Sequence, residues 1–226
     1  MATETVNREF VDSLIEEIIQ PGIQSLMDGR YFSELREGKL SIRRLQGFAI
    51  QHYLHNIAIN KGFALGMAKN AHNPEAFGVF EDQFMGEQSH PNMAKRFGMA
   101  LGLSEADFAD AMPIYECSAH TGSIIRGMFL GIMAENRTSA LTNESMVCRY
   151  AEEFDVQLRR HYDLPEEALE FFVVHRAADV EHTEIAANII ARSALTERER
   201  ARVREMAIQQ VRFKLAKFDG IYTEYA

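Results

Sequence analysis

Tryptophan is absent from this chain, cysteine occurs twice and proline five times in 226 residues. Cys117 and Cys148 are too few and too far apart for a disulfide framework, so a reducing compartment is expected. The prolines at 21, 74, 91, 113 and 165 leave long stretches uninterrupted. Asn-Gly hairpin signals and alternating Val/Ile/Thr runs are missing, which argues against a strand-rich fold. No apolar run approaches the roughly 20 residues of a membrane-spanning helix. The polar start Met1-Ala2-Thr3-Glu4-Thr5 lacks the basic-then-apolar layout of a secretion signal, and the expected location is cytoplasmic.

Basic residues are also in short supply. Lys and Arg number 24 against 33 Asp and Glu, a formal net charge of −9, which argues against nucleic acid or an anionic membrane surface as partner. With 46% hydrophobic residues and 14 glycines, the composition excludes disordered, collagen-like and disulfide-scaffold classes. A domain of this length buries roughly 70% of its unfolded surface and needs no covalent staple.

What is present is helical periodicity. Ser104-Glu105-Ala106-Asp107 and Thr196-Glu197-Arg198-Glu199 each set a hydroxyl three residues before an acid, the pattern that caps a helix N-terminus. Pro165 followed by Glu166 and Glu167 opens another helix, with acids at the positive end of its dipole. The pattern predicts helices near 6–20, 22–36, 41–71, 75–89, 92–102, 104–111, 114–138, 143–162, 165–193 and 196–222. No linker or repeat divides them, so the expectation is one all-α domain over residues 1–226, a helical bundle whose polar core residues carry any function.

Polar groups interrupt the apolar stripes at a few places. His175, Asp179 and His182 follow i, i+4, i+7 spacing and share one helical face, with Ala168 and Phe172 before them and Ala186 and Ile189 after. Burying three ionisable groups is costly unless they are paired or metal-bound. A bound cation and a hydrogen-bonded His–Asp cluster explain this trio about equally well. Glu135 ends a stripe of Cys117, Thr121, Ile124, Met128 and Gly131; as an acid in a last helical turn it opposes the dipole and calls for a compensating cation. Glu81 lies among Phe77, Phe80, Phe84 and Met85 and is preferred over Glu87 as a carboxylate ligand. Glu87 and His90 are three apart, but His90 precedes Pro91 and is biased away from helix, so it is placed in a turn. Three histidines and three or four carboxylates exceed the four ligands of one zinc, and magnesium avoids imidazole. Such a mixed set suits two bridged iron or manganese ions inside a bundle.

These residues, a carboxylate and His, a central Glu, then His-x-x-x-Asp-x-x-His, resemble the haem-oxygenase-like di-iron oxidases and oxygenases, the CADD-like relatives of the TenA and PqqC families. The segment Tyr31-Phe32-Ser33-Glu34-Leu35-Arg36-Glu37-Gly38-Lys39-Leu40-Ser41, with Leu45, Phe48 and Gln51-His52-Tyr53, is similar to the N-terminal signature of that fold. His90-Pro91 through Phe97 and Ala100-Leu101-Gly102-Leu103 resemble its third-helix region, and the likeness runs from about 30 to 220. The resemblance implies one iron near Glu81, His90 and His175 and a second, more weakly held, near Glu135, Asp179 and His182. It leaves Glu87 as the competing first ligand, with one glutamate bridging.

It further implies two Fe(2+) ions per chain, O2 as co-substrate, a homodimer and, for some reactions, an external electron donor. The implied activity is oxidation of a small amino- or carboxylic-acid metabolite, by N-oxygenation or by C–H abstraction with decarboxylation or fragmentation. Arg126 and Arg176 are candidates to pair with a substrate carboxylate, though structural or surface roles fit each better, and Tyr53 is a candidate redox tyrosine. Two other readings stand beside it: a metal-independent TenA- or PqqC-like enzyme acting on a heterocycle, which in the TenA case needs Cys117 or Cys148 as nucleophile, and a non-catalytic binding protein.

Overall fold

Helix caps written in the sequence lay out the chain. The computed structural model describes the backbone of residues 2–194 and 196–226, and the side chains of 7–176, 183–194 and 196–226. Helix α1 (Ala2–Leu14) continues through a π-helical turn (Ile15–Ile19) into α2 (Gln20–Met27). Then come α3 (Arg30–Arg36), α4 (Ile42–Lys69), α5 (Pro74–Glu87), α6 (His90–Ala100), α7 (Glu105–Ala109), α8 (Tyr115–Leu130) and α9 (Met133–His161). A 3₁₀ turn (Glu166–Ala168) leads to α10 (Glu170–Ser193) and α11 (Glu197–Glu224). No strand occurs among the described residues, and the all-α expectation holds.

Both expected capping boxes form. The Ser104 N–H donates to Asp107 at 2.7 Å and the Thr196 N–H to Glu199 at 2.9 Å. Ser41 and Asn73 cap α4 and α5 by accepting from the N–H groups of Arg44 and Ala76. Each cap stabilises its helix by about 1 kcal/mol. Pro165 does not open α10 directly. Its ψ of 150° is extended, and the short 3₁₀ turn intervenes.

The expected break near residue 21 is absent, since α1 runs through the π-helical turn into α2, and further boundaries differ, two of which shape the site. The expected helix over 22–36 breaks at Gly29, whose φ −63°, ψ 156° is extended and starts α3. His90 is not in a turn; it is the first residue of α6, with Pro91 in the first turn, where a missing N–H costs nothing. The break expected at 139–142 falls instead at Gly131 and Ile132, both extended. Gly131 folds back so closely that a Cβ there would lie 2.5 Å from the Gly127 carbonyl oxygen, so only glycine fits. The Lys69 ammonium donates to the Gly131 carbonyl at 3.1 Å and caps this end.

The core that holds these helices in register is aromatic. Phe48 of α4, Phe154 of α9 and Phe172 of α10 pack with ring centroids 4.7–6.0 Å apart. Phe218 of α11 and Phe32 of α3 close the cluster at 4.9 Å from each other. All five side chains are buried. Burial of each contributes roughly 1.5–3 kcal/mol, and the cluster locks the rotation of α10 about its axis. No helix among the described residues is long and apolar enough to cross a membrane.

Candidate metal centre

The rotation fixed by Phe172 turns His175, three residues on, to the inside of α10. His175 is buried, and its Nδ1 lies 2.7 Å from the Phe171 carbonyl oxygen. A carbonyl only accepts, so Nδ1 carries the proton and Nε2 is the lone-pair nitrogen of the ring, the kind that binds a metal. His90, also buried, stands with its ring centroid 4.5 Å from that of His175. The last residue of α5, Glu87, reaches across the two-residue break to contact His90 Nδ1.

One ligand atom from each of Glu87, His90 and His175 lies within 4.8 Å of the others. Among the described residues this is the only group of three or more His, Cys, Asp or Glu side chains brought so close. Two imidazoles and one carboxylate are the donor set of non-haem ferrous sites that keep open positions. The hydrogen bond orienting His175 is the outer-shell support such ligands need.

Two cavities meet at this cluster. An inner one of about 50 Å³ runs toward His52, His55, Ser139 and Lys214. An outer one of about 230 Å³ opens between Val79, Asp82, Val174 and Ile185. Gln83, Glu87, His90, Arg137, Glu144 and His175 line both, so the cluster forms the wall between them.

The other sequence candidates are placed differently. Glu81 is exposed on α5, outside both cavities, and the arrangement sets Glu87 rather than Glu81 beside the histidines. Glu135 is not in a last turn. The break at Gly131 puts it in the first turn of α9, where its carboxylate accepts from the Ile132 N–H at 2.8 Å and from Arg202 at 2.6 and 3.0 Å. Its compensating cation is an arginine and the positive end of its own helix. Asp179 and His182 fall in α10, four and seven residues beyond His175, and their side chains lie outside the described residues. Arg126 is exposed, and Arg176 pairs with Asp155 at 2.8 Å. Tyr53 packs on Phe108 and lines neither cavity. Cys117 lines neither cavity, and burial pushes its thiol up to about 11, so a thiolate nucleophile is not available near neutrality.

Sequence reading missed Glu144. It sits on α9 between buried Leu141 and Val147, three residues either way, an acid interrupting an apolar stripe. That signal was hidden because a helix start expected at 143 made an acid there unremarkable. Arg137 was missed because the expected helix over 114–138 put it in a last turn, where a basic residue is ordinary. It is buried in the second turn of α9, and burial pushes its guanidinium down to about 10, still cationic at neutral pH.

A search among solved structures finds the same bundle elsewhere. A domain of unknown function with a heme oxygenase-like fold from Shewanella denitrificans superposes with a TM-score of 0.83 at 16% identity, covering 95% of this chain and 92% of that one. A TenA homologue from Pseudomonas syringae gives 0.79 at 12% identity, covering 94% and 92%. At these identities the likeness establishes the fold, a haem-oxygenase-like one. Residues 46–214 match the model of the iron-containing redox enzymes, and the chain belongs to that family. It is an oxidoreductase. Among curated proteins it is 29% identical over 245 aligned residues to the 4-aminobenzoate synthase of Nitrosomonas europaea, covering 100% of this chain and 94% of the relative. It is 25% identical over 178 residues to the 4-aminobenzoate synthase of Chlamydia trachomatis, covering 76% and 75%.

Proposed function

We propose that the chain is an O2-dependent non-haem di-iron oxidase or oxygenase acting on a small amino- or carboxylic-acid metabolite. The observation that carries this is the convergence of Glu87, His90 and His175 on one point at the junction of two cavities. In this reading those three would hold one Fe(2+), and Glu144, Asp179 and His182 would hold a second, weaker one. Glu81 and Glu135, the sequence-based candidates, are left out of the set. Glu81 faces solvent and Glu135 is taken by Arg202.

Bound ferrous iron would supply the electrons that reduce O2 and thereby oxidise the substrate. The chain's own contribution is positional. The Phe171 carbonyl holds the His175 tautomer, and Phe171 itself packs on the His175 ring at 4.0 Å. The aromatic cluster keeps α10 from rotating the ligands away, and Ile59, Phe63, Ile124 and Met128 give the inner cavity one apolar side. The name shared by the curated relatives makes 4-aminobenzoate formation the first reaction to assay. The proposal extends to a single domain over residues 1–226, a cytoplasmic location, a homodimer and, where the substrate does not supply all the electrons, an external donor.

Anaerobic Fe(II) titration followed by O2 electrode measurement tests it. Expected are two ions per chain and O2 uptake that depends on them. A purified chain that keeps only trace iron and consumes no O2 with added Fe(II) would sink the proposal.

A further inference from the structure

Arg137 is 3% exposed and has no carboxylate ion-pair partner among the described residues. Its Nε and Nη2 donate to two neutral amide oxygens, those of Asn136 and Gln83. Nη1, with two N–H groups, makes no hydrogen bond among the described residues, although Arg137 lines both cavities. Glu144, which lines the same cavities, stands close enough for its negative charge to favour the charged guanidinium. Once Glu144 is committed to metal, as proposed above, Arg137 is a buried cation lacking a counter-ion, a costly state that an anion relieves.

Size decides where the rest of such a ligand lies. The inner cavity, at about 50 Å³, has room for a few waters. Its walls carry polar atoms that lack partners: both ring nitrogens of His52, the Asn56 amide nitrogen and the Ser139 hydroxyl. Water satisfies such groups well. The outer cavity, at about 230 Å³, takes an organic molecule, and Val79, Val174 and Ile185 give it an apolar wall.

We infer that Arg137 is the substrate's carboxylate anchor, holding a monocarboxylic acid by Nη1 with its apolar body in the outer cavity and its reacting end toward Glu87, His90 and His175. This rests on the metal site proposed above. With Nε and Nη2 already committed to Asn136 and Gln83, Nη1 offers a carboxylate a charge-assisted hydrogen bond that a neutral amide of the same shape matches only weakly.

The test is calorimetric titration of the Zn(II)-loaded chain, redox-silent, with benzoate and hexanoate against benzamide and hexanamide. Each acid should bind at least about tenfold more tightly than its amide. Arg137→Gln should abolish that preference and Arg137→Lys should retain part of it, while Arg126→Gln, at an exposed site, should keep it whole. Zn(II) uptake and melting temperature, read on every variant, separate loss of the anchor from loss of the fold. An unchanged preference in a folded, Zn-loaded Arg137→Gln variant would mean that the metal takes the carboxylate, and would overturn the inference alone. Acids and amides binding alike, or inorganic phosphate binding in place of both acids, would overturn it too. A chain that takes up no Zn(II) would sink the proposed metal site, and this inference with it.

Discussion

Phe171 stands between two groups of buried histidines, its ring centroid 4.4 Å from that of His52 and 4.0 Å from that of His175, and the two groups have different surroundings. His90 and His175 meet a carboxylate, and His175 has one ring nitrogen tied to a backbone carbonyl. His52, His55 and His120 stack instead on one another, with centroids 5.9 and 5.2 Å apart and rings within 19° of parallel. No carboxylate forms an ion pair with them among the described residues; His55 shares a hydrogen bond with Thr121, and both nitrogens of His52 and of His120 lack partners. Burial pushes all three well below the usual imidazole range, reinforced by the nearby Lys214 and Lys217. Burial alone therefore yields neutral imidazoles. A ligand site needs in addition an acid and a fixed tautomer, and only the His90–His175 group has both.

The sharpest way to break the contrast is to remove one histidine from each group. His175→Ala should lower metal affinity by at least about 100-fold, since even outer-shell changes cost 10–100-fold. His120→Phe, which keeps a flat ring against His55, should leave it within about twofold. Metal content after dialysis against a weak chelator reads both. Equal losses would dissolve the distinction between the two groups.

A smaller effect appears in stability against pH. The folded state holds His52, His55 and His120 neutral, with pKa values depressed below the 6.5 of the unfolded chain. Between those limits the unfolded chain binds more protons, so stability is full above about pH 6.5 and is lost as pH falls below it. Melting temperatures of the metal-free chain from pH 7.5 to 5 should fall, and His120→Phe should flatten the slope. A slope unchanged by that substitution would deny the stacked group its part in acid sensitivity.

The smallest effect concerns the acid that was expected in the metal site. Glu135→Gln should cost about 1 kcal/mol, because Arg202 is 41% exposed and its pairing is screened. For a chain of this length that lowers the melting temperature by about 2–4 °C. Iron uptake should not change. Loss of iron without loss of stability would return Glu135 to the ligand set.

The fold was legible in the sequence to the extent that local chemistry dictates it. Hydroxyl–acid pairs at Ser104 and Thr196 started helices where expected, because a cap is satisfied within four residues. The break between α8 and α9 was not legible. It depends on the close approach of Gly131 to Gly127 and on Lys69 arriving from α4. That one displaced boundary misassigned Glu135, hid Glu144 and concealed Arg137, since each residue's role follows from its turn of α9. Likewise, apolar neighbours in sequence favoured Glu81. On α5 the helix rotation buries Phe80 while leaving Glu81 and Met85 exposed.

The sequence by itself determined an all-helical chain, the scarcity of basic charge, and the His-x-x-x-Asp-x-x-His spacing, because composition and helical period need only neighbours along the chain. Only the tertiary structure decided which carboxylate joins which histidine and that a buried arginine stands beside them. Those choices bring together α5, α6, α9 and α10, and such meetings are set by how helices pack around a common aromatic core.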